Sequence, residues 1–183
     1  MDSAVISLTR GAASVAMLAA LLSEGYKKIV CVNFYLNNSG GFVAKRDTQK
    51  IFLYYRDQYP EENGVELIFK PVDFSSVIEG VQRPLFKETP NGKILDDFYI
   101  QYYPCGYDCE DLLLHWLSYI AKTYQIKQMC LPVDNGRHYP SLYESGSRFC
   151  TQIYFPLSVE NRMLFTHKIK EEAPQIWNLM STE

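Results

Sequence analysis

The sequence lacks the features of a membrane protein, of a secreted disulfide protein and of a strongly basic nucleic-acid binder. Its longest apolar stretch without charge, Gly11 to Ser23, is too short to cross a bilayer and is typical of a buried helix. The formal net charge of -3 provides no overall positive field, so composition does not support non-specific binding to nucleic acid. The five cysteines are irregularly spaced and no signal peptide precedes them, so we expect free thiols in a reducing cytoplasm. Cys31 and Cys130 lie in apolar, strand-like segments, where a buried thiol is expected.

What the sequence does contain is an alternation of short apolar segments with helical ones along its 183 residues. The strands are predicted at 4–8, 28–34, 65–72, 128–133 and 151–155, and the helices at 12–24, 44–59, 111–124 and 159–172. The segment 80–104 is less regular, contains an Asn91-Gly92 turn, and is predicted to be an insertion or a hairpin. This alternation predicts a single α/β domain over residues 1–183, doubly wound, with a mainly parallel sheet covered on both faces.

The turn between the first predicted strand and the first predicted helix runs from Thr9 to Ser14. Turns at this place in doubly wound sheets are where phosphates are usually bound, because small residues let backbone N–H groups come close to them. This turn has one glycine, Gly11, and no acidic residue. Arg10 introduces a long cation where the backbone should approach, and its guanidinium could either pair with a phosphate or fill the phosphate site.

Four segments resemble the PP-loop ATP-pyrophosphatase superfamily, and within it the 7-cyano-7-deazaguanine synthase family. The turn Thr9 to Ser14 resembles the Ser-Gly-Gly-x-Asp-Ser loop, and LAALLSEGYKKIVCVNFYLN resembles the helix and strand that follow it. YYPCGYDCEDLLLHWLSYIAKTYQIKQMCLPVDNG resembles the Val-Pro-Gly-Arg-Asn segment, and HYPSLYESGSRF resembles the Tyr-Pro-Asp motif. The resemblance implies an adenine nucleotide alpha-hydrolase-like (HUP-like) fold, self-association, and a site for ATP with magnesium. The implied nucleotide-binding residues are Thr9, Arg10, Gly11, Ala12, Ala13 and Ser14, and the implied substrate contacts are Tyr107, Asp108, Tyr139 and Ser141.

The sequence departs from the family's motifs at positions that carry chemistry. Arg10 and Ala13 replace a glycine and the aspartate of the loop, and Ala13 has no group that could organise magnesium. Tyr107 and Asp108 replace the arginine and asparagine, and Ser141 replaces an acid. We therefore assign no catalytic residue, and predict a nucleotide-binding or partner-binding scaffold without the synthase reaction. The alternative is an active ATP-dependent ligase of 7-deazaguanine (queuosine-type) biosynthesis with an unusual loop.

Two other motifs are interpreted as structural. The family's zinc-binding cysteine cluster has no counterpart after Cys150, and Cys105, Cys109 and His115 are not spaced like a structural zinc site, so no zinc is expected. Ser39-Gly40-Gly41 spells the start of the loop signature but follows the second strand, and is predicted to be a flexible connection. Its alternative role is contact with a nucleotide from the ribose side.

Tyrosines are concentrated between Tyr99 and Tyr143, and two interpretations of this region remain open. Aromatic residues at this density build a core or a protein interface. They also stack on purines, although no basic stripe accompanies them here. We expect a homodimer or another protein as the partner, a nucleotide as the small-molecule ligand, and no membrane. His167, on the last predicted helix, is expected at the surface.

Overall fold

The computed structural model describes residues 2–75, 86–95, 109–132 and 152–181. The strands are β1 (Ser3–Ser7), β2 (Lys28–Tyr35), β3 (Glu66–Asp73), β4 (Phe86–Thr89), β5 (Gly92–Leu95), β6 (Gln128–Cys130) and β7 (Gln152–Tyr154). The helices are α1 (Ala12–Ser23), α2 (Ser39–Gln58), α3 (Cys109–Thr123), α4 (Val159–Glu172) and α5 (Pro174–Trp177), with a 3-10 turn at Glu61–Asn63. In the described part of the chain, no helix is both long enough and apolar enough to cross a membrane.

Five strands form one parallel sheet in the order β3-β2-β1-β6-β7. β1 pairs with β2 along its whole length, from Ser3 opposite Lys28 to Ser7 opposite Val32. The chain builds outward from β1 through β2 to β3, and then crosses back to place β6 on the other side of β1. This is the doubly wound, HUP-like α/β fold predicted from the sequence. Its topological switch point lies between the carboxyl ends of β1 and β6, where such folds bind their ligands.

The two faces of the sheet are covered by different helices because successive strand side chains point to opposite sides. On β2, Ile29 and Cys31 belong to the cluster formed with α1, α2 and α4, whereas Val30 and Val32 belong to the cluster formed with α3. Both sides are apolar, which is why the central strands are continuous hydrophobic runs and not alternating ones.

The two cysteines of the central strands are buried free thiols, as predicted. Burial raises the pKa of the Cys31 thiol well above its ordinary value. Burial, with a smaller contribution from the Glu24 carboxylate, raises the pKa of Cys130 to about 12. Neither thiol is therefore set up as a nucleophile or a metal ligand.

The stretch Ser39-Gly40-Gly41 is the first turn of α2, so the prediction of a flexible connection was wrong. Asn38 caps the helix, since its side-chain oxygen accepts the N–H of Gly41 at 2.7 Å. A Cβ atom on Gly41 would collide with the carbonyl group of Leu36. The glycine is required because the helix starts very close to the end of the preceding strand.

The observed elements differ from the predicted ones, or make them more exact, in three other places. Within 80–104, the described residues β4 and β5 form an antiparallel hairpin with Thr89 opposite Gly92. β6 ends at Cys130, earlier than predicted. Beyond the last predicted helix, where only a tail was expected, the chain forms α5 and then an isolated parallel bridge between Ser181 and Gly11.

Candidate functional site

The turn from Thr9 to Ser14 lies at the carboxyl end of β1, as predicted. Leu8 extends the strand ladder by donating its N–H to the carbonyl of Val32 at 2.8 Å. The chain then turns, and α1 begins at Ala12, directly after Gly11. Since β1 is the central strand, this places the turn at the switch point of the sheet.

Side-chain hydroxyls hold the turn in shape. The N–H of Thr9 donates to Ser14 Oγ at 2.7 Å, and this hydroxyl lies 3.3 Å from the carbonyl oxygens of both Ser7 and Thr9. The Thr9 hydroxyl in turn accepts the N–H of Gly11 at 3.1 Å. In the first turn of α1, the N–H of Ala12 faces the carbonyl of Ser181 across the bridge between Gly11 and Ser181, whereas the N–H groups of Ala13 and Ser14 have no acceptor within the helix. The turn thus presents two backbone donors together at one end of α1.

The turn lines a cleft of about 700 Å³. Five of its six residues take part, namely Thr9, Gly11, Ala12, Ala13 and Ser14. The opposite wall is α4, and Pro132, Trp177 and Ser181 complete the described lining. This volume is within the range of pockets that hold small molecules and cofactors.

The described lining of the cleft carries positive charge. Arg162 and Lys170 of α4 both contribute to it, and none of the described lining residues is an Asp or a Glu. The N-terminal end of α1 adds partial positive charge from its unpaired N–H groups. His167 also lines the cleft and is exposed, as expected for it, with its Nε2 3.1 Å from Glu171 Oε1. The arrangement favours an anionic ligand.

Arg10 is directed away from the cleft. Its Nη1 lies 3.6 Å from Asp47 Oδ2 on α2, and its side chain is 41% exposed. The same carboxylate lies 3.3 Å from Arg46 Nη2. Arg10 is not among the described residues that line the cleft, so the interpretation that it fills the phosphate site does not fit this arrangement.

The residues that line the cleft suit the phosphates of ATP better than they suit a magnesium ion. Backbone donors and two cations suit the phosphates of ATP. A magnesium ion prefers carboxylate and other oxygen ligands, and Ala13 offers none at the loop position where the family has its aspartate. Across the described ranges, no three His, Cys, Asp or Glu side chains are grouped so that they could hold a metal ion.

The implied substrate contacts Tyr107, Asp108, Tyr139 and Ser141 lie outside the described residues. So does Cys105. Cys109 begins α3, but its side chain is not among those described. The structure therefore leaves these substrate and zinc predictions as they were.

The contribution of α4 was missed in the sequence. Arg162, Thr166 and Lys170 are spaced four residues apart, which puts them on one helix face, and all three line the cleft. That spacing was a usable signal, but nothing local indicated that this face would lie opposite the first turn of α1.

Comparison with known proteins supports the fold. No protein-family model matches the sequence, and no curated protein is significantly similar to it. The structure is similar to that of a predicted subunit of a tRNA methyltransferase from Methanocaldococcus jannaschii. The TM-score is 0.51, at 14% identity, over 93% of this chain and 76% of that one. The U34-tRNA thiolase NcsA from Methanococcus maripaludis, which carries a [4Fe-4S] cluster, matches with a TM-score of 0.48 at 13% identity, over 92% and 56% of the two chains. The similarity to the M. jannaschii protein shows a common α/β fold and nothing more specific.

Proposed function

We propose that this protein binds the phosphate groups of a nucleotide, with ATP as the first candidate, in the cleft between α1 and α4. We further propose that it does so without the 7-cyano-7-deazaguanine synthase reaction. The observation that carries the proposal is that the first turn of α1, with the free N–H groups of Ala13 and Ser14, and the cations Arg162 and Lys170 line one cleft at the switch point.

Phosphate binding follows from the chemistry of these groups. Backbone N–H groups at a helix start bind phosphate oxygens without any particular side chain, so the loss of the family's glycines does not remove them. Arg162 supplies a guanidinium that can pair with two phosphate oxygens at once. Trp177, whose ring centroid is 5.6 Å from Lys170 Nζ, provides an aromatic surface in the same cleft on which a purine could stack.

The synthase reaction also requires a residue that organises magnesium, and Ala13 has no group that does so. Bound magnesium would bridge the phosphates and offset the charge that develops on them during adenylation. Binding can persist without a residue that organises this ion, whereas the reaction depends on it. The description of the M. jannaschii neighbour as a tRNA methyltransferase subunit suggests tRNA modification as the setting for such a binding protein.

The test is calorimetric titration of the protein with ATP, with the wild type compared with Arg162→Ala and Lys170→Ala. Lys168→Ala is the matched control, because it also removes one positive charge from α4. Lys168 is exposed, its Nζ lies 3.8 Å from Glu172 Oε2, and it is not among the described lining residues of the cleft. We expect each cleft variant to weaken binding at least tenfold, since a charged hydrogen bond contributes roughly 1.5–3 kcal/mol and about 1.4 kcal/mol is a factor of ten, and we expect the control to change binding less than twofold. Equal losses in all three variants, or no binding by the wild type, would refute the proposal.

An active ligase remains the second candidate, because Arg10 is turned toward Asp47 and leaves the cleft open. Its test is release of pyrophosphate from ATP and magnesium in the presence of ammonium and 7-carboxy-7-deazaguanine. We expect no release above background. Turnover that disappears in Ser14→Ala would establish the ligase instead.

We also propose a protein partner, in the first place a second copy of the chain. The described part of the tyrosine-rich region includes α3, where Trp116 is 39% and Tyr119 60% exposed. Their rings are in edge contact, with centroids 6.1 Å apart. Exposed aromatic pairs of this kind commonly anchor interfaces, which supports the proposal.

A further inference from the structure

The peptide group between Arg10 and Gly11 is held from both sides. Its carbonyl oxygen accepts the backbone N–H of Ser181 at 2.9 Å, with the Ser181 hydroxyl at 3.5 Å. Its N–H donates to the Thr9 hydroxyl at 3.1 Å. This peptide group directly precedes Gly11, the N-cap residue of α1, so its orientation sets the direction in which the first turn of the helix leaves the loop.

The segment that provides Ser181, residues 173–181, is firmly attached to the core. We call it the C-terminal strap. Ala173, Ile176 and Met180 are buried in the same cluster as α1. The N–H of Met180 bonds to the carbonyls of Ile176 and Trp177 at 3.2 and 3.1 Å. Packing in the core therefore fixes the position of the strap, and with it the position of Ser181 beside the turn.

The strap also forms part of the cleft wall. Trp177 and Ser181 both line the cleft, and the Trp177 ring centroid is 5.6 Å from Lys170 Nζ. The strap thus bonds to the backbone of the 9–14 turn and also lines the cleft beside that turn. No other described residue outside the turn bonds to the Arg10 carbonyl.

We infer that Ser181 is a positioning residue for the 9–14 turn, and that docking of the strap and binding of an anionic ligand in the cleft favour each other. The inference rests on the proposed nucleotide site. When the strap is detached, the Arg10 carbonyl loses its donor and the turn is free to adopt other orientations. The affinity for ligand then falls in proportion to the population that keeps the competent turn. By linkage, bound ligand stabilises the docked strap by the same factor.

Two substitutions at one position separate the backbone contact from the side chain. Ser181→Pro removes the N–H that donates at 2.9 Å, whereas Ser181→Ala keeps it and removes only the hydroxyl at 3.5 Å. In calorimetric titrations with ATP, we expect about a fivefold to tenfold loss of affinity for Ser181→Pro and less than twofold for Ser181→Ala. A variant that ends at Met180 removes the same donor without the backbone restriction of proline, and should behave like Ser181→Pro.

A second measurement is independent of nucleotide. In the protein without ligand, hydrogen exchange of the Gly11 amide should be accelerated at least fivefold in Ser181→Pro and in the variant ending at Met180, and be unchanged in Ser181→Ala. Faster exchange with no ATP binding in any variant would retain the positioning role and remove the nucleotide site. Unchanged exchange, or equal losses of affinity in the alanine and proline variants, would overturn the inference. Protection of residues 173–181 by ATP in the wild type would support the linkage, and its absence in a protein that binds ATP would refute it.

Discussion

Ser14→Ala tests whether side-chain hydrogen bonds hold the turn in shape. Ser14 is 6% exposed, and its hydroxyl accepts the Thr9 N–H at 2.7 Å while lying 3.3 Å from two carbonyl oxygens. Alanine leaves the Thr9 N–H without its acceptor. An orphaned buried donor costs roughly 1–3 kcal/mol. Because Thr9 itself is exposed, water can replace part of the bond. We therefore expect a loss of about 1–1.5 kcal/mol.

For a domain of this size, that loss lowers the melting temperature by about 2–6 °C. Thermal and urea unfolding followed by circular dichroism measure it, with Ser23→Ala as the matched control. Ser23 is exposed at the other end of α1 and should tolerate alanine within about 0.5 kcal/mol. The turn variant should also bind ATP more weakly, since its helix start is no longer fixed. A Ser14→Ala protein as stable as the wild type would refute the role given to this hydroxyl.

Gly41→Ala should cost about 2 kcal/mol or more in urea unfolding, because its Cβ would collide with the preceding turn, whereas Gly40→Ala should be neutral or slightly stabilising. Equal effects would contradict the close approach. Burial raises the pKa of both Cys31 and Cys130, so at pH 10 the unfolded thiols, with an ordinary pKa of 9.0, are ionised while the folded ones stay protonated. Their contribution to stability is complete well below pH 9 and should fall by about 3 kcal/mol as the pH rises from 8 to 10, and a urea midpoint that does not change with pH would argue against it. Tyr119→Ala should weaken self-association in light scattering by about 2 kcal/mol. A monomeric wild type would exclude that surface as a dimer interface.

Features with local causes could be predicted from the sequence. The parallel sheet follows from apolar strands that alternate with helical segments, and the start of α1 follows from the end of β1 and the helix formers after Gly11. The end of α1 also has a local cause. Gly25 has a φ of 86°, a geometry that favours glycine, and its N–H donates to the carbonyl of Leu22 while the N–H of Tyr26 donates to that of Leu21, both at 3.1 Å.

Features that depend on distant contacts could not be predicted. Arg10 is directed toward Asp47 because α2 happens to pass beside the turn, and no property of the loop sequence encodes that. Lys170 and Ser181 are far from the turn in sequence and reach it only through the packing of α4 and the strap. Gly41 was misread for the same reason, since the need for glycine comes from the nearness of another backbone.

For the proposed nucleotide site, these distant contacts explain how a turn without the Ser-Gly-Gly-x-Asp-Ser signature would bind phosphate. In the family's pattern, small residues and one acid within the loop provide both the approach to phosphate and a group that organises magnesium. Here the approach depends on backbone donors held by Thr9 and Ser14, and the charge comes from Arg162 and Lys170 on another element. Backbone donors do not depend on side-chain identity, whereas a magnesium ligand does. Under the proposal, the absence of an aspartate at Ala13 would therefore remove the reaction and leave phosphate binding in place, so the two functions would be separable.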